Sequence, residues 1–166
     1  MAAGNTYEAI ATQTLGSAAA SVTFSSIPGT YTDLVLVTQS AGSTAGQDFK
    51  IQFNSDTGTN YSVTLIRGYG TGVTSNRTSN STYIYLDYSG GSLTTIQDQY
   101  NVNIMNYANT TTYKTILTRY SSAANSAEAG VGLWRSNSAI NRIDLSMTAG
   151  NLVAGSTFSL YGIKSA

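Results

Sequence analysis

The chain has 166 residues, with eight basic and eight acidic side chains, no cysteine and no histidine. Zero net charge removes the electrostatic basis for a nucleic-acid or anionic-membrane partner. The missing cysteines exclude disulfides and thiolate chemistry, and the missing histidines remove the commonest general base and metal ligand. Charged residues make up only 10% of the chain, against about 25% in ordinary globular domains. Ser, Thr, Asn, Gly and twelve tyrosines take their place. Such a surface has weak colloidal repulsion and suits a protein docked in an assembly. The length fits one domain that buries roughly two-thirds of its unfolded surface. Met1-Ala2-Ala3-Gly4-Asn5 lacks the basic and apolar regions of a signal peptide. No apolar run approaches the ~20 residues of a membrane span.

In chain order, residues 7–15 read as a strand or extended arm, and the small residues 16–20 as a hinge. Ser21-Val22-Thr23-Phe24 alternates polar and apolar and stops before the turn dipeptide Pro28-Gly29. Residues 33–39 are more continuously apolar, as in a strand covered on both faces. Residues 41–46 form a loop. Phe49, Ile51 and Phe53 alternate with Lys50 and Gln52, the pattern of a half-buried strand. After the loop 54–60, Tyr61, Val63 and Leu65 alternate again. Residues 68–81 read as the longest irregular stretch, and residues 83–88 as a short aromatic strand ending at Gly90-Gly91. Residues 97–107 and 113–120 predict a hairpin turning at 108–112. Strands over 131–135, 143–147 and 157–163 complete the series. Helical turns are conceivable only near 123–128 and 137–141.

This gives roughly nine or ten short strands with polar loops, the pattern of an all-β fold: a single antiparallel β-sandwich or barrel. There is no fixed-period repeat and no internal linker. The division expected is residues 1–15 as an N-terminal arm or first strand, and residues 16–166 as the sandwich.

Candidate chemistry is sparse. The eight carboxylates, Glu8, Asp33, Asp48, Asp56, Asp87, Asp98, Glu128 and Asp144, are scattered over separate elements. No local motif marks the facing pair that glycoside hydrolysis needs, so no enzyme activity is expected. The loop 54–60, Asn-Ser-Asp-Thr-Gly-Thr-Asn, places oxygen ligands around a Gly turn, partly like a calcium loop, but lacks the closing bidentate Glu. A polar hairpin loop explains it better, since Asn, Asp and Gly favour turns. Gly68, Gly70 and Gly72 superficially resemble a phosphate-cradling loop. The residues after Gly72 are polar and non-helical, so the dipole that would hold the phosphate is missing. Sequons at Asn60, Asn76, Asn80 and Asn109 are expected by chance in so Asn- and Thr-rich a chain. No catalytic residue, cofactor or metal is assigned.

Four segments together carry a resemblance: YEAIAT at residues 7–12, SIPGTYTDLVL at 26–36, GLW at 132–134 and LYGI at 160–163. Their layout resembles that of small virion structural proteins of tailed bacteriophages, especially cyanophages. The resemblance implies a jelly-roll-like sandwich. It also implies a capsid decoration (cement) protein, made in the host cytoplasm and carried on the capsid surface. There it would bind the major capsid protein as a homo-oligomer, a trimer matching the local three-fold axes. The alternative within the same resemblance is a tail fibre or spike module that recognises a host surface glycan.

The aromatic residues are the candidate contact groups. Tyr7, Ile10, Tyr83, Tyr85, Tyr88 and Trp134 are expected at an interface, because Tyr supplies rigid area with a polar tip. Under the alternative, Trp134 with Tyr83, Tyr85 and Tyr88 would form a sugar-stacking platform. The competing reading for Trp134 is a core anchor. The strand over 83–88 carries large side chains on both faces, so one of its faces, or the Trp134 strand, is expected between subunits.

Overall fold

A computed structural model describes residues 6–88, 97–122, 124 and 126–164. Among these residues twelve strands form, all paired antiparallel. They are β1 (Tyr7–Thr14), β2 (Ser21–Phe24), β3 (Asp33–Ser40), β4 (Phe49–Phe53), β5 (Tyr61–Tyr69) and β6 (Gly72–Ser81), followed by β7 (Ile84–Tyr85), β8 (Asp98–Ile104), β9 (Lys114–Ser122), β10 (Ser126–Trp134), β11 (Ile143–Met147) and β12 (Thr157–Ile163). An eight-stranded sheet runs β1-β12-β3-β8-β9-β10-β5-β6, and a four-stranded sheet runs β2-β11-β4-β7. The pairings nest, early strand on late strand: β1 on β12, β2 on β11 and β5 on β10. That is the wrapping of a jelly roll.

Period-2 burial makes the sandwich. In β9 every second residue from Lys114 to Ser122 is buried and the others are exposed. β4 buries Phe49, Ile51 and Phe53 completely. These meet Leu34, Leu36, Val102, Ile104, Ile116, Phe158 and Leu160 from the large sheet in one core. The continuously apolar strand behaves as its pattern requires, with Leu34, Val35 and Leu36 all buried. The Pro28-Gly29 turn is pinned by Tyr107, whose hydroxyl donates to the Pro28 carbonyl and accepts from the Tyr31 N–H at 3.3 Å.

Two expectations are corrected. Residues 68–81 are not an irregular stretch: they end β5 and form the ten-residue edge strand β6. β6 is mostly exposed, with Ser, Thr and Asn on both faces, so no hydrophobic alternation announced it. Among the described residues no helix forms, as the strand pattern led one to expect: residues 126–128 open β10 and residues 137–141 are loop. Of residues 83–88 only Ile84–Tyr85 pairs as a strand, and Gly90-Gly91 lies outside the described residues. The segment read as an arm or first strand is a first strand, hydrogen-bonded to β12 through a bulge between Ala9 and Ala11.

β10 is built inside out. Its core-facing positions are Ser126, Glu128, Gly130, Gly132 and Trp134, while Ala127, Ala129, Val131 and Leu133 face outward. The inward glycines are spatial necessities. A Cβ on Gly132 would lie 2.8 Å from Ile116 and Ile84 side-chain carbons, and one on Gly130 would lie 2.7 Å from Thr118 Oγ1.

Candidate functional site

The outward face of the large sheet can be traced by register. One transverse row is Ala9–Tyr161–Val35–Asn103–Leu117–Val131–Thr64–Arg77. The next is Thr12–Ser159–Val37–Asn101–Arg119–Ala129–Ile66–Ser75. Directly paired residues on one face stand about 4.5–5.5 Å apart, so these rows define neighbours. The face divides into two halves of different chemistry.

An apolar patch centres on the outward row of β10, flanked by Leu117 of β9 and Ile66 of β5, with Arg119 and Thr64 at its border. Ile66, Leu117 and Val131 are 58%, 46% and 42% exposed, around the outward row of β10. Over β1, β12, β3 and β8 lies a depression of about 490 Å³, lined by Tyr7, Val35, Val37, Asn101, Asn103, Arg119 and Tyr161. Val35, Val37 and the two asparagines are its floor on β3 and β8, and the tyrosines and Arg119 are its walls. Asn103 Nδ2 donates to Asn101 Oδ1 at 3.3 Å. Among the described residues Arg119 has no ion-pair partner.

The predicted contact residues separate. Tyr7 is exposed on the rim of this depression. Ile10 is half-buried against the core. Tyr83, Tyr85 and Tyr88 form a ladder of rings with centroids 5.9 and 6.1 Å apart, but Tyr85 is buried and donates its hydroxyl to Thr78 Oγ1. Lys50 Nζ sits 5.0 Å over the Tyr83 ring. Trp134 is a core residue, 2% exposed, stacked on Tyr61 and packed on Phe53. It is therefore no interface or sugar-stacking group. The expected surplus of large side chains at residues 83–88 also disappears, because Ile84, Tyr85, Leu86 and Asp87 are all buried in this one chain. What lies outward on the Trp134 strand is its other face.

The carboxylates are engaged by the fold. In the loop 54–60, Asp56 accepts from Gly58 N at 2.8 Å, Asn60 Nδ2 at 3.0 Å and Trp134 Nε1 at 2.7 Å. Partial burial pushes its pKa up, but these donors outweigh burial and hold it below 3.8. Asp144 is clasped by Arg142 and Thr23, and Glu8 pairs with Lys164.

One cluster was invisible in the sequence. Asp87, from the β7–β8 connection, is fully buried and accepts from Phe49 N at 2.6 Å and Tyr100 Oη at 3.1 Å. Burial pushes its pKa well above the carboxylate range. Glu128 accepts from Tyr88 N at 3.0 Å and lies 3.2 Å from Arg67 Nε, whose Nη1 donates to the Tyr88 carbonyl at 2.9 Å. Burial outweighs the Arg67 charge and pushes Glu128 up to about 7. Tyr120 donates to Asp98, also fully buried, at 3.2 Å. Each acid comes from a different element, so no spacing announced the group. Its hydrogen bonds anchor residues 87–88 against Phe49, Tyr100 and Arg67.

No protein-family model and no curated protein matches the chain. Among solved structures, the galectin LEC-6 of Caenorhabditis elegans is similar at a TM-score of 0.36 and 13% identity, covering 98% of this chain and 99% of that one. A protein of unknown function from Shewanella oneidensis MR-1 aligns at a TM-score of 0.21 and 10% identity, over 100% of this chain and 83% of that one. Neither likeness bears on function.

Proposed function

We propose that the protein is a phage virion structural protein, a capsid decoration that stabilises contacts between major capsid subunits as a homo-oligomer. The observation that carries this reading is the inside-out strand β10. Outward apolar residues on an otherwise polar sheet cost solubility, and a contiguous exposed apolar patch marks a protein contact. The low charge content fits the same role, and so do the four segments that resemble virion proteins. In this reading the β10 face with Ile66 and Leu117 packs between copies of the chain. The trimer then multiplies one weak capsid contact by symmetry. The action is mechanical: added buried area favours assembled over separated subunits by mass action.

Quantitative mass spectrometry of purified particles tests it. The reading expects a copy number that scales with capsid subunits, and particles lacking the protein that release DNA more readily on heating. A copy number matching fibres, with robust heads that fail to adsorb to cells, would establish the fibre or spike alternative instead.

A further inference from the structure

We propose that the depression over β3 and β8 is a binding site for an acidic oligosaccharide, with Arg119 as the carboxylate anchor. This goes beyond the virion reading and does not depend on it. Most of the site lies on β12, β3 and β8, away from the β10 face, and Arg119, paired with Ala129, stands at the boundary between the two.

Four observations converge. The volume of about 490 Å³ lies within the range of ligand sites. The groove has one formally charged lining residue, Arg119, and no carboxylate among its lining residues. An arginine with no ion-pair partner presents a rigid fork that matches a carboxylate with two parallel hydrogen bonds. The Asn103–Asn101 hydrogen bond uses one donor and one acceptor. Among the described residues nothing else engages the Asn101 amide donor or the Asn103 amide carbonyl, a donor and an acceptor for sugar hydroxyls. Tyr7, 59% exposed, and Tyr161 offer ring faces and hydroxyls on the opposite wall.

An acidic peptide fits less well. The groove crosses the interior of a sheet, where the main-chain groups of β3 and β8 are bonded to β12 and β9. A peptide there could not add to the ladder, and its own backbone groups would go unpaired. A sugar carries its hydrogen-bonding groups around its ring and needs no ladder.

The test uses the full chain, titrated with trimers of galacturonic, glucuronic and mannuronic acid and with the matching neutral trisaccharides. The readouts are calorimetry and the side-chain amide resonances of Asn101 and Asn103. The expected result is saturable binding of at least one uronate trimer, with shifts at both amides and an affinity for its neutral counterpart at least roughly ten-fold weaker. Arg119→Ala removes the binding, Arg119→Lys retains part of it, and Tyr161→Ala weakens it. Melting temperatures check that each variant is folded. The proposal is overturned if no uronate binds, if neutral sugars bind equally well, or if folded Arg119→Ala binds as tightly as wild type. It is equally overturned if a hepta-glutamate peptide shifts the same amides and the sugars do not.

Discussion

Trp134 Nε1 donates to Asp56 Oδ2 across 2.7 Å, joining the chain's single indole, buried in the core, to a surface loop. The loop is held twice more by the same carboxylate, through Gly58 and Asn60, and Tyr61 Oη donates to the Asp56 carbonyl at 3.0 Å. The calcium-like spacing of residues 54–60 is therefore spent on N–H donors. Asp56→Ala strands the indole N–H of a buried ring, and is expected to cost about 1–3 kcal/mol in denaturant unfolding. A chelator is expected to leave the wild-type melting temperature unchanged. A large drop on chelation, restored by calcium, would refute this account of the loop.

The buried acids give stability an unusual pH dependence. Glu128 has a folded pKa of about 7 against an ordinary 4.5. Between those values the unfolded chain has lost a proton that the folded chain keeps, so stability falls as pH rises from about 4.5 to about 7. Asp87 acts with the same sign. Asp56 acts oppositely, since its depressed pKa contributes stability above 3.8 that is lost as pH falls below that value. Urea titrations are expected to show greater stability at mildly acid pH than at neutral pH, by on the order of 1 kcal/mol. Glu128→Gln is expected to reduce that difference. Equal stability at both pH values would contradict the buried-acid account.

Gly162 is the floor on which the Tyr31 ring lies. A Cβ at this position would approach the Tyr31 ring carbons to 2.3–2.4 Å, far inside van der Waals contact. Gly162→Ala is expected to destabilise the fold by about 1–3 kcal/mol through overpacking. The double variant Gly162→Ala, Tyr31→Ala is expected to recover part of the loss. Strictly additive effects of the two changes would show that the ring and the glycine are not coupled.

The outward side of β10 separates stability from assembly. Val131→Asp is expected to leave the melting temperature within a few degrees of wild type, because the residue is 42% exposed and exposed sites tolerate substitution. It is expected to shift the oligomer towards monomer in sedimentation equilibrium. A wild-type protein that is monomeric at micromolar concentration removes the oligomer from the proposal.

How much was legible in the sequence depended on how cleanly burial alternates. Phe49, Ile51 and Phe53 announced β4, and the hairpin of β8 and β9 was readable from its alternating residues and its polar turn. β6 was not, because an exposed edge strand has no core face to mark. β10 was read only from Val131 onward, because its first half buries Ser126 and Glu128 and exposes Ala127 and Ala129, the reverse of the usual code. The same inversion hid the apolar patch. The depression escaped notice for another reason: Tyr7, Asn101, Arg119 and Tyr161 come from four strands, and only sheet order makes them neighbours. Trp134 was expected at an interface, with a core anchor as the competing reading, and the core won; its partner Asp56 gave no signal, since that contact joins residues far apart in the chain.

The position of β12 sets a timetable. It lies between β1 and β3 and bonds to both, yet it comes after every other strand in the sequence. While the polypeptide leaves the ribosome, β1 has no native neighbour and β3 lacks one of its two until nearly all of the domain has emerged. The middle strands β8, β9 and β10 can pair as soon as they are made. Assembly of the large sheet is thus expected to grow outward from its centre, with closure of the chain's early strands as the last event. Pairing across such long sequence separations is slow, and the waiting β1 and β3 are exposed edges in the interval.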